Sequence, residues 1–336
     1  MTADTPPPSP DLFFATANAY QQTAALRTAL DLGLFTAVAG GAHTAAAIAA
    51  RCSASERGTR ILCNYLTIMR FLTKTGDTYQ LTPDTAMFLS QTSPAYLGGT
   101  MGFLGSVELT HLFDDLTDTV RRGSIAKEES TVADENPVWQ NFARAMMPMM
   151  MMPAQAIADV LNVAAAGPIK VLDIAAGHGI FGIVIAQRNA QAEIVAVDWA
   201  GVLKVATENA VKMGVAARHK LLPGDAFKVD FGTGYDVALM TNFLHHFDSP
   251  TCTALLTKVA ASLKPGGRIA VLEFVPNDDR VSPPAAAGFA MQMLGNTPFG
   301  DAYTFKDLSA MLKAAGFATA TSHPLQGPET LIVGTK

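Results

Sequence analysis

The C-terminal half of the chain alternates short β-rich runs with helical stretches, and this alternation restricts the possible folds more than any other feature. The first five runs are Ile169 to Ile174, Ile194 to Val197, Lys220 to Leu222, Val237 to Met240 and Ile269 to Phe274. The connections between them include helices, which is typical of a parallel, doubly wound α/β sheet. Two further runs, Thr319 to His323 and Leu331 to Gly334, have no helix between them, so we expect an antiparallel hairpin at the sheet edge.

Length and composition restrict the class of protein. A chain of 336 residues is long enough for two domains, and 49% hydrophobic against 16% charged residues excludes a disordered chain. The formal net charge of -5 gives no electrostatic reason to expect a nucleic acid partner. The expected partners are therefore a small molecule and a second copy of the chain.

Cysteine usage and the apolar stretches indicate the compartment. Cys52, Cys63 and Cys252 are scattered without Cys-x-x-Cys spacing, so neither a disulfide framework nor a zinc site is expected. Residues 2–10 lack the basic and then apolar pattern of a signal peptide. Prolines and polar residues interrupt the most apolar stretch, 143–166, which makes it a poor membrane span. These features predict a cytoplasmic protein.

The N-terminal part reads as short helices followed by a hairpin. The pattern predicts a helix that Asp11 caps and Gly33 ends, then helices over Thr44 to Arg51 and behind Ser53-Ala54-Ser55-Glu56, the last with a stripe of Ile61, Tyr65, Ile68 and Leu72. A turn at Gly76-Asp77 predicts the hairpin. This is the layout of a winged-helix domain. We divide the chain into a disordered tail (1–10), a winged-helix-like dimerisation domain (11–100), a helical bridge (101–165) and an α/β domain (166–336).

Charge decides between two uses of such an N-terminal domain. Residues 1–100 contain six basic and six acidic side chains, so they offer no basic face for phosphates. Dimerisation or a substrate lid is therefore favoured over DNA binding, and a non-enzymatic winged-helix regulator stays the alternative. The bridge, in which Pro137 begins a helix with the methionines Met149 to Met152, suits either a pocket wall or an inter-domain core.

A glycine-rich turn follows the first strand of the α/β domain. Gly177-x-Gly179-x-x-Gly182 lets the backbone approach a ligand, and Asp198 at the end of the next strand is placed to hold ribose hydroxyls. This pattern also fits a nicotinamide oxidoreductase, which stays an alternative. Asp173, expected inside the turn, would repel a pyrophosphate and attract an ammonium group. Gly224-Asp225-Ala226-Phe227 offers a carboxylate and an aromatic ring for an adenine.

Together with the turn Leu263 to Arg268, these motifs make residues 169–335 resemble a class I S-adenosylmethionine-dependent methyltransferase domain with a Rossmann-like, seven-stranded sheet. With its N-terminal part, the chain from Asp11 resembles the dimeric O-methyltransferases typified by caffeic-acid, acetylserotonin and hydroxyneurosporene enzymes. The resemblance implies a homodimer and S-adenosylmethionine as cofactor. It places the cofactor against Asp173, Gly177, Gly179, Asp198, Trp199, Gly224, Asp225, Ala226, Phe227, Thr241 and Asn242.

In that family a histidine after the fourth strand takes the proton of the acceptor hydroxyl, and a cysteine follows seven positions later. The resemblance therefore implies His245 as general base, with Cys252 seven residues on, and Glu273 as the acidic residue that orients it. The chain departs from the plant pattern after His245, where His246-Phe247 replaces Asp-Trp. The second acidic residue of the plant enzymes falls near Ala302, beside Asp301.

These departures leave the acceptor, and the atom that is methylated, open. A C-methyltransferase of the same fold stays an alternative, with a metal held by His245, His246 and Asp248 as its least favoured form; no metal is predicted. His178 is expected to be exposed beside the cofactor. We expect a small aromatic or apolar acceptor, in a pocket built from Trp139, Phe142, Met146, Phe243, His246, Phe289 and Met293.

Overall fold

The computed structural model describes residues 7–125 and 138–336. The chain divides into two compact units, residues 1–106 and 107–336. The expected helix start at Pro137 lies outside the described residues, as does most of the expected tail. The helix that follows it lies within the second unit.

The first unit contains seven helices within its described residues, together with one two-stranded sheet. In chain order the elements are α1 (Asp11–Ala17), α2 (Ala19–Asp31), α3 (Leu34–Ala39), α4 (Ala45–Arg51), α5 (Glu56–Ile68), β1 (Leu72–Thr75), β2 (Thr78–Leu81), α6 (Pro83–Phe88) and α7 (Met101–Leu104). The strands β1 and β2 pair antiparallel, as the hairpin prediction required.

Capping side chains determine where these helices begin. Thr44, Ser55 and Thr82 each accept a hydrogen bond from the backbone N–H three residues later and so begin α4, α5 and α6. The prediction of one helix from Asp11 to Gly33 was wrong, because the helix is interrupted at Asn18 and Asp11 lies in the first turn without capping it. Ser55, rather than Ser53, caps α5.

The core of the first unit lies between α3, α4, α5 and the hairpin. Leu34, Ile48, Leu66 and Tyr79 are almost fully buried there. Along the stripe predicted for α5, Leu72 is buried, whereas Ile61 is 46% exposed and Ile68 76% exposed. Leu72, which the pattern assigns both to the end of that stripe and to the hairpin, begins β1. This unit therefore presents an apolar helix face to its surroundings.

The second unit is built on a seven-stranded sheet. Its elements are α8 (Val107–Thr110), α9 (Leu116–Arg122), α10 (Val138–Val160), β3 (Lys170–Ile174), α11 (Ile180–Arg188), β4 (Glu193–Asp198), α12 (Ala200–Lys212), β5 (His219–Pro223), β6 (Tyr235–Thr241), α13 (Ser249–Ser262), β7 (Leu263–Glu273), α14 (Pro284–Asn296), α15 (Phe305–Ala314), β8 (Thr319–Pro324) and β9 (Thr330–Thr335). The strand order is β5-β4-β3-β6-β7-β9-β8. The predicted fold is confirmed.

Strands β3 to β7 are parallel, whereas β9 is antiparallel to both β7 and β8. The order reverses between β3 and β6, and open α/β sheets bind ligands beyond the carboxyl ends of the strands at such a point. The carboxyl ends of β3, β4, β5, β6 and β7 lie on one edge, which brings Ile174, Asp198, Pro223, Thr241 and Glu273 to the same side.

Helices cover both faces of the sheet. On one face Leu172, Ile174 and Met240 pack with residues of α13 and α15, and on the other Val171 and Leu239 pack with α10 and α11. Both faces are buried, which explains why the strands read as nearly continuous apolar runs. Among the helices of the described chain, none is long and apolar enough to cross a membrane.

Candidate active site

A cavity of about 260 Å³ lies at the carboxyl edge of the sheet. Nine of the eleven residues predicted to hold the cofactor line it: Gly177, Asp198, Trp199, Gly224, Asp225, Ala226, Phe227, Thr241 and Asn242. Four of the seven predicted acceptor residues also line it: Trp139, Phe142, Phe243 and His246. Met150, from the methionine cluster predicted as a pocket wall or an inter-domain core, also lines it, and unpredicted residues complete much of the wall: Ala175, Ala176, Phe181, Val197 and Val202.

The glycine-rich turn brings the backbone to the cavity. Gly177 and Gly179 have φ values of 58° and 73°, in the left-handed region that favours glycine. A Cβ on Gly177 would approach only the Ala175 carbonyl oxygen, at 3.9 Å, so the turn leaves space for a ligand beside its backbone. Gly179 lies away from the cavity, and a Cβ there would come within 2.9 Å of the Ala206 Cβ. Its role is close packing of the turn against α12.

Asp173 lies in strand β3, so the expectation that it lies inside the turn was wrong. Its side chain is fully buried on the face covered by α11, where Oδ2 accepts a hydrogen bond from the Gly182 N–H at 3.1 Å. Burial raises the pKa of Asp173 to about 8, although the bond from Gly182 lowers it. Asp173 therefore fixes the start of α11 from behind the cavity wall.

Asp198 faces the cavity at the end of β4. Its Oδ2 accepts from the Gly177 N–H at 2.8 Å, and its Oδ1 accepts from the Trp199 N–H at 2.7 Å. Burial raises the pKa of Asp198 to about 6, and the two backbone bonds lower it. Each carboxylate oxygen has a second lone pair, so the group can still accept hydrogen bonds from a diol.

The loop after β5 combines a carboxylate with aromatic rings. Asp225 Oδ1 accepts from the Phe227 N–H at 2.8 Å. The Phe227 ring meets the Phe247 ring edge-on, with centroids 4.9 Å apart. Lys258 donates to the Ala226 carbonyl at 2.9 Å and so holds the loop from behind. This arrangement offers an acceptor and flat apolar faces, which suits a purine base.

His178 is buried, so the expectation that it is exposed was wrong. Its Nδ1 accepts from the Ile180 N–H at 3.1 Å, and its carbonyl accepts from Asn209 at 2.9 Å. Burial lowers the pKa of His178 to about 4, so the ring is neutral near pH 7. Its neutral ring supports the first turn of α11 while lining the cavity.

His245 and Glu273 form a buried pair beside the cavity. Both side chains are less than a tenth exposed, and His245 Nδ1 lies 2.5 Å from Glu273 Oε2. The other oxygen, Oε1, accepts from the backbone N–H groups of Phe243 and Leu244 at 3.0 and 2.8 Å. Because the carboxylate accepts at Nδ1, it favours the tautomer with a proton there and leaves Nε2 as the basic atom. The His245 ring packs between His246 and Phe289, with centroids 4.3 and 4.8 Å away.

His246 differs from His245 in its contacts, and its pKa is lowered. It lines the cavity, meets the Trp139 ring edge-on at 5.4 Å, and its Nδ1 is buried without a hydrogen-bond partner. Burial, and then the neighbouring His245, lower the pKa of His246 well below its ordinary value. Asp248 caps α13 by accepting from the Thr251 N–H. His245, His246 and Asp248 therefore do not converge as metal ligands, and the described residues contain no cluster of three or more such groups that could hold an ion.

The loop before α15 closes on the histidine from the other side. The His245 carbonyl accepts from the Asp301 N–H at 3.0 Å, and a Cβ on Gly300 would lie 2.2 Å from that carbonyl oxygen. Asp301 pairs with Arg280 at 3.2 Å, and Ala302 is buried. Thus no carboxylate from this loop reaches His245 where the plant enzymes have their second acidic residue.

The remaining predicted acceptor residues, Met146, Phe289 and Met293, do not line this cavity. Met146 and Met293 are buried. Phe289 stacks on Phe274 with centroids 3.9 Å apart and touches the His245 ring edge-on. Phe289 is thus next to the proposed base although it lies outside the cavity wall, and the acceptor role of these three residues stays a prediction.

A second buried carboxyl group, unpredicted from the sequence, lies beside the pair of His245 and Glu273. Glu329 directly precedes β9, and its Oε1 accepts from Asn242 Nδ2 at 2.7 Å. The pairing of Glu273 with Thr330 in the β7–β9 register puts Glu329 next to Glu273. The only sequence signal was a single carboxyl group after Gly327-Pro328 and before an apolar run. An ordinary turn residue would give the same signal, so the sequence did not identify Glu329 as a site residue.

The polar groups of the cavity fit S-adenosylmethionine. Asp198 offers acceptors for a ribose, Asp225 and Phe227 suit an adenine, and Gly177 lines the cavity without a side chain. Asn242 Oδ1 is a buried acceptor without a partner, which fits a ligand that brings a donor. The described lining is free of lysine and arginine, so it suits a cation better than the pyrophosphate of a dinucleotide.

Comparisons with known proteins agree with this geometry. The O-methyltransferase domain profile matches residues 126–318, and the O-methyltransferase dimerisation domain profile matches residues 14–91. A relative from Streptomyces sahachiroi, 3-hydroxy-5-methyl-1-naphthoate 3-O-methyltransferase, is 26% identical over 311 residues, covering 91% of this chain and 89% of its own length.

Two solved structures resemble the chain over nearly its whole length. One from Nostoc punctiforme PCC 73102, titled as an O-methyltransferase, has a TM-score of 0.93 and 48% identity, covering 98% of this chain and 100% of the other. Human N-acetylserotonin methyltransferase in complex with S-adenosylmethionine has a TM-score of 0.83 and 20% identity, covering 100% and 99%, and so shares the fold. These matches decide against the nicotinamide oxidoreductase and the non-enzymatic regulator. The chain belongs to the S-adenosylmethionine-dependent O-methyltransferase family that carries an N-terminal dimerisation domain.

Proposed function

We propose that the protein transfers a methyl group to a hydroxyl of a small aromatic or apolar acceptor, with His245 as the general base. The observation that carries this proposal is the 2.5 Å contact between His245 Nδ1 and Glu273 Oε2 in a buried site. Glu273 is itself fixed by two backbone N–H groups, so it orients the ring and stabilises the imidazolium that forms.

The chemistry follows from the acidity of the acceptor. A phenol has a pKa of about 10 and is mostly neutral at pH 7, when its oxygen is a poor nucleophile. When bound, S-adenosylmethionine supplies an electrophilic methyl group on a sulfonium. As the acceptor oxygen forms its bond to the methyl carbon and the bond from carbon to sulfur breaks, His245 Nε2 takes the hydroxyl proton. Glu273, which accepts at Nδ1, offsets the new positive charge on the ring.

His246 is the second candidate for the base, because it lines the cavity and its Nδ1 has no partner. Two observations favour His245 over it. No carboxylate orients His246 within the described structure, and its pKa is lowered well below the ordinary range. A group with such a low pKa is a weak proton acceptor. We infer that His246 contributes to the acceptor wall with Trp139 and Phe243.

The cavity wall supports an uncharged or weakly polar aromatic acceptor. Trp139, Phe142, Phe243 and Phe247 provide aromatic surface, and their rings meet in edge-on pairs. The 3-hydroxy-naphthoate compound named for the Streptomyces sahachiroi relative is also aromatic and hydroxylated. We further propose a homodimer formed through the dimerisation domain and a cytoplasmic location.

The test compares His245→Gln with His246→Gln. We expect His245→Gln to lower kcat by about 10²- to 10⁴-fold, the range for losing general base catalysis, with S-adenosylmethionine affinity nearly unchanged. Raising the pH towards the pKa of the acceptor should narrow the gap to the wild-type protein, because an acceptor ionised by solvent no longer needs a base. Turnover with a panel of phenols and naphthols, measured from pH 6 to 10, checks both points.

The His246→Gln protein is the matched control, since it removes an adjacent ring of the same chemistry. We expect it to change KM for the acceptor more than kcat and to keep the wild-type pH profile. If His245→Gln turns over at the wild-type rate and His246→Gln does not, the roles of the two histidines are reversed. Methylation of carbon in the product, identified by mass spectrometry and NMR, would contradict the hydroxyl as acceptor.

A further inference from the structure

Asn242, at the carboxyl end of β6, has a backbone conformation that few residues adopt. Its φ is 53°, in the left-handed region, and its N–H donates to the Leu272 carbonyl at 2.8 Å. Asparagine tolerates this conformation better than most residues. The residue lines the cavity, so its backbone conformation aims a polar side chain at the ligand site.

The two polar atoms of the Asn242 amide have different environments. Nδ2 donates to Glu329 Oε1 at 2.7 Å and lies 3.6 Å from the sulfur of Met150. Oδ1 is buried and has no hydrogen-bond partner. Because Glu329 accepts from Nδ2, it determines which way the amide points and keeps Oδ1 available as an acceptor. A buried acceptor without a partner is unfavourable, and a ligand donor would remove that cost.

Glu329 itself is a buried acid without a cation. It is 5% exposed, and no lysine or arginine of the described chain forms an ion pair with it. Burial raises its pKa to about 7, the charge of Glu273 raises it further, and the Asn242 bond and His245 lower it. Glu273 and Glu329 lie behind the cavity lining, and two adjacent buried carboxyl groups there favour a positive charge beside Asn242.

The strand order indicates which part of the cofactor arrives there. Asp225 follows β5, Asp198 ends β4, the Gly177 turn follows β3 and Asn242 follows β6, and these four strands are consecutive in the sheet. Neighbouring strands lie about 4.8 Å apart. With the adenine at Asp225 and the ribose at Asp198, the methionyl end extends over β3 and β6. It carries an ammonium group, a cation with three N–H donors.

We propose that Asn242 and Glu329 form a charge-selective subsite for the ammonium group of the cofactor, in which Asn242 Oδ1 accepts its hydrogen bond and Glu329 orients the amide. The sulfonium has no N–H to donate, so it does not satisfy Oδ1. Asp173, the acid expected for this role from the sequence, is used instead to hold Gly182. Glu329 is a positioning residue in this scheme, because it acts through Asn242. The inference rests on the family cofactor and is independent of the acceptor and of the base.

The experiment measures affinity rather than turnover. Calorimetric titrations would use S-adenosylmethionine, S-adenosylhomocysteine and 5′-methylthioadenosine, which lacks the amino-acid end. The variants are Glu329→Gln, which keeps the shape and removes the charge, and Asn242→Gly, which keeps the left-handed backbone and removes the amide. Glu193→Gln is the control, because Glu193 is an exposed acid at the opposite end of β4, paired with Lys220.

We expect Glu329→Gln and Asn242→Gly each to lower the affinity for S-adenosylmethionine and S-adenosylhomocysteine by about tenfold, the effect of losing a hydrogen bond to a charged group. The affinity of each of the three variants for 5′-methylthioadenosine should stay within about twofold of the wild-type affinity. This readout separates the subsite from a general loss of structure, since a misfolded cavity would lose all three ligands.

Three results would overturn the proposal. Unchanged affinity for S-adenosylhomocysteine in both variants would show that the two residues do not contact the ammonium group. A loss for S-adenosylmethionine alone would place Glu329 opposite the sulfonium instead. An equal loss for 5′-methylthioadenosine would give the pair a structural role only. If the wild-type protein binds none of the three ligands, the family cofactor fails for this chain, which is a separate outcome.

Discussion

The acidic side chains at the carboxyl edge of the sheet have different partners, and the partners decide their roles. Asp173 accepts from Gly182, Glu273 accepts from His245 and two backbone groups, and Glu329 accepts from Asn242. Only Asp198 both lines the cavity and keeps its carboxylate bound solely to backbone N–H groups. Asp198 is therefore the residue whose loss should act most directly on the cofactor.

We expect Asp198→Ala to weaken S-adenosylmethionine by about 1–3 kcal/mol, because it removes acceptors for the ribose and frees the Gly177 N–H. Affinity in the wild-type protein should fall as the pH drops through about 6, the raised pKa of Asp198, since the protonated acid accepts hydrogen bonds poorly. Calorimetry from pH 5 to 8 measures both effects. Because the pKa of Glu329 is about 7, its titration would overlap that of Asp198. Repeating the titration in the Glu329→Gln variant removes this contribution. A flat profile in that variant would place the ribose elsewhere.

At the scale of elements, the strand, turn and helix β3–α11 depend on close contact at Gly182. A Cβ there would lie 2.8 Å from Asp173 Oδ2 and 2.7 Å from Ile194 Cγ2, both buried neighbours on the sheet. Glycine at this position therefore lets the helix approach the strands closely enough for Asp173 to accept from its N–H.

We expect Gly182→Ala to lower the stability of the protein by about 1–3 kcal/mol through overpacking and to weaken the cofactor as the turn shifts. Gly288→Ala is the matched control, because Gly288 is an exposed residue of α14 with no heavy atom within 4 Å of its ideal Cβ. That change should leave stability unchanged or raise it by up to about 1 kcal/mol. Thermal unfolding with and without S-adenosylhomocysteine compares them, and equal melting temperatures would contradict the packing account.

At the scale of the whole molecule, the apolar face of the first unit needs a partner. Ile61 and Ile68 lie seven residues apart on one face of α5, and Tyr20 is 69% exposed on α2. These residues fall within the segment that matches the O-methyltransferase dimerisation domain, residues 14–91. A monomer would leave this apolar surface in water, so association through it is favoured.

We expect the protein to be a homodimer at micromolar concentration, and Ile61→Glu with Ile68→Glu to give a monomer, because the new charges would be buried without partners. Light scattering gives the mass directly. Lys212→Glu with Lys313→Glu, two exposed helix positions in the second unit, is the control and should stay dimeric. A wild-type monomer would contradict the dimer proposal, and a dimeric double glutamate variant would place the interface on another surface.

The sequence by itself determined the sheet and the glycine-rich turn, and it placed Asp198 and Asp225 at the sheet edge, because these signals are local. Alternating runs specify strands and helices through backbone periodicity. Parallel connections then bring the strand ends to one edge. Asp198 ends β4, Asn242 directly follows β6 and Asp225 lies two residues after β5, so their place at that edge followed from the strand assignment. The hairpin of β1 and β2 was equally local.

Only the tertiary structure decided which way individual side chains face and which distant residues meet. The sequence prediction misplaced Asp173 because successive side chains along a strand point to opposite faces of the sheet. Asp173 points to the face opposite that of Leu172 and Ile174. His178 is buried because α11 and α12 close around it, which its own segment does not encode. Glu329 meets Asn242 across 87 residues because β9 inserts antiparallel between β7 and β8. Strand insertion of this kind depends on packing over the whole sheet, so no local pattern predicts the contact.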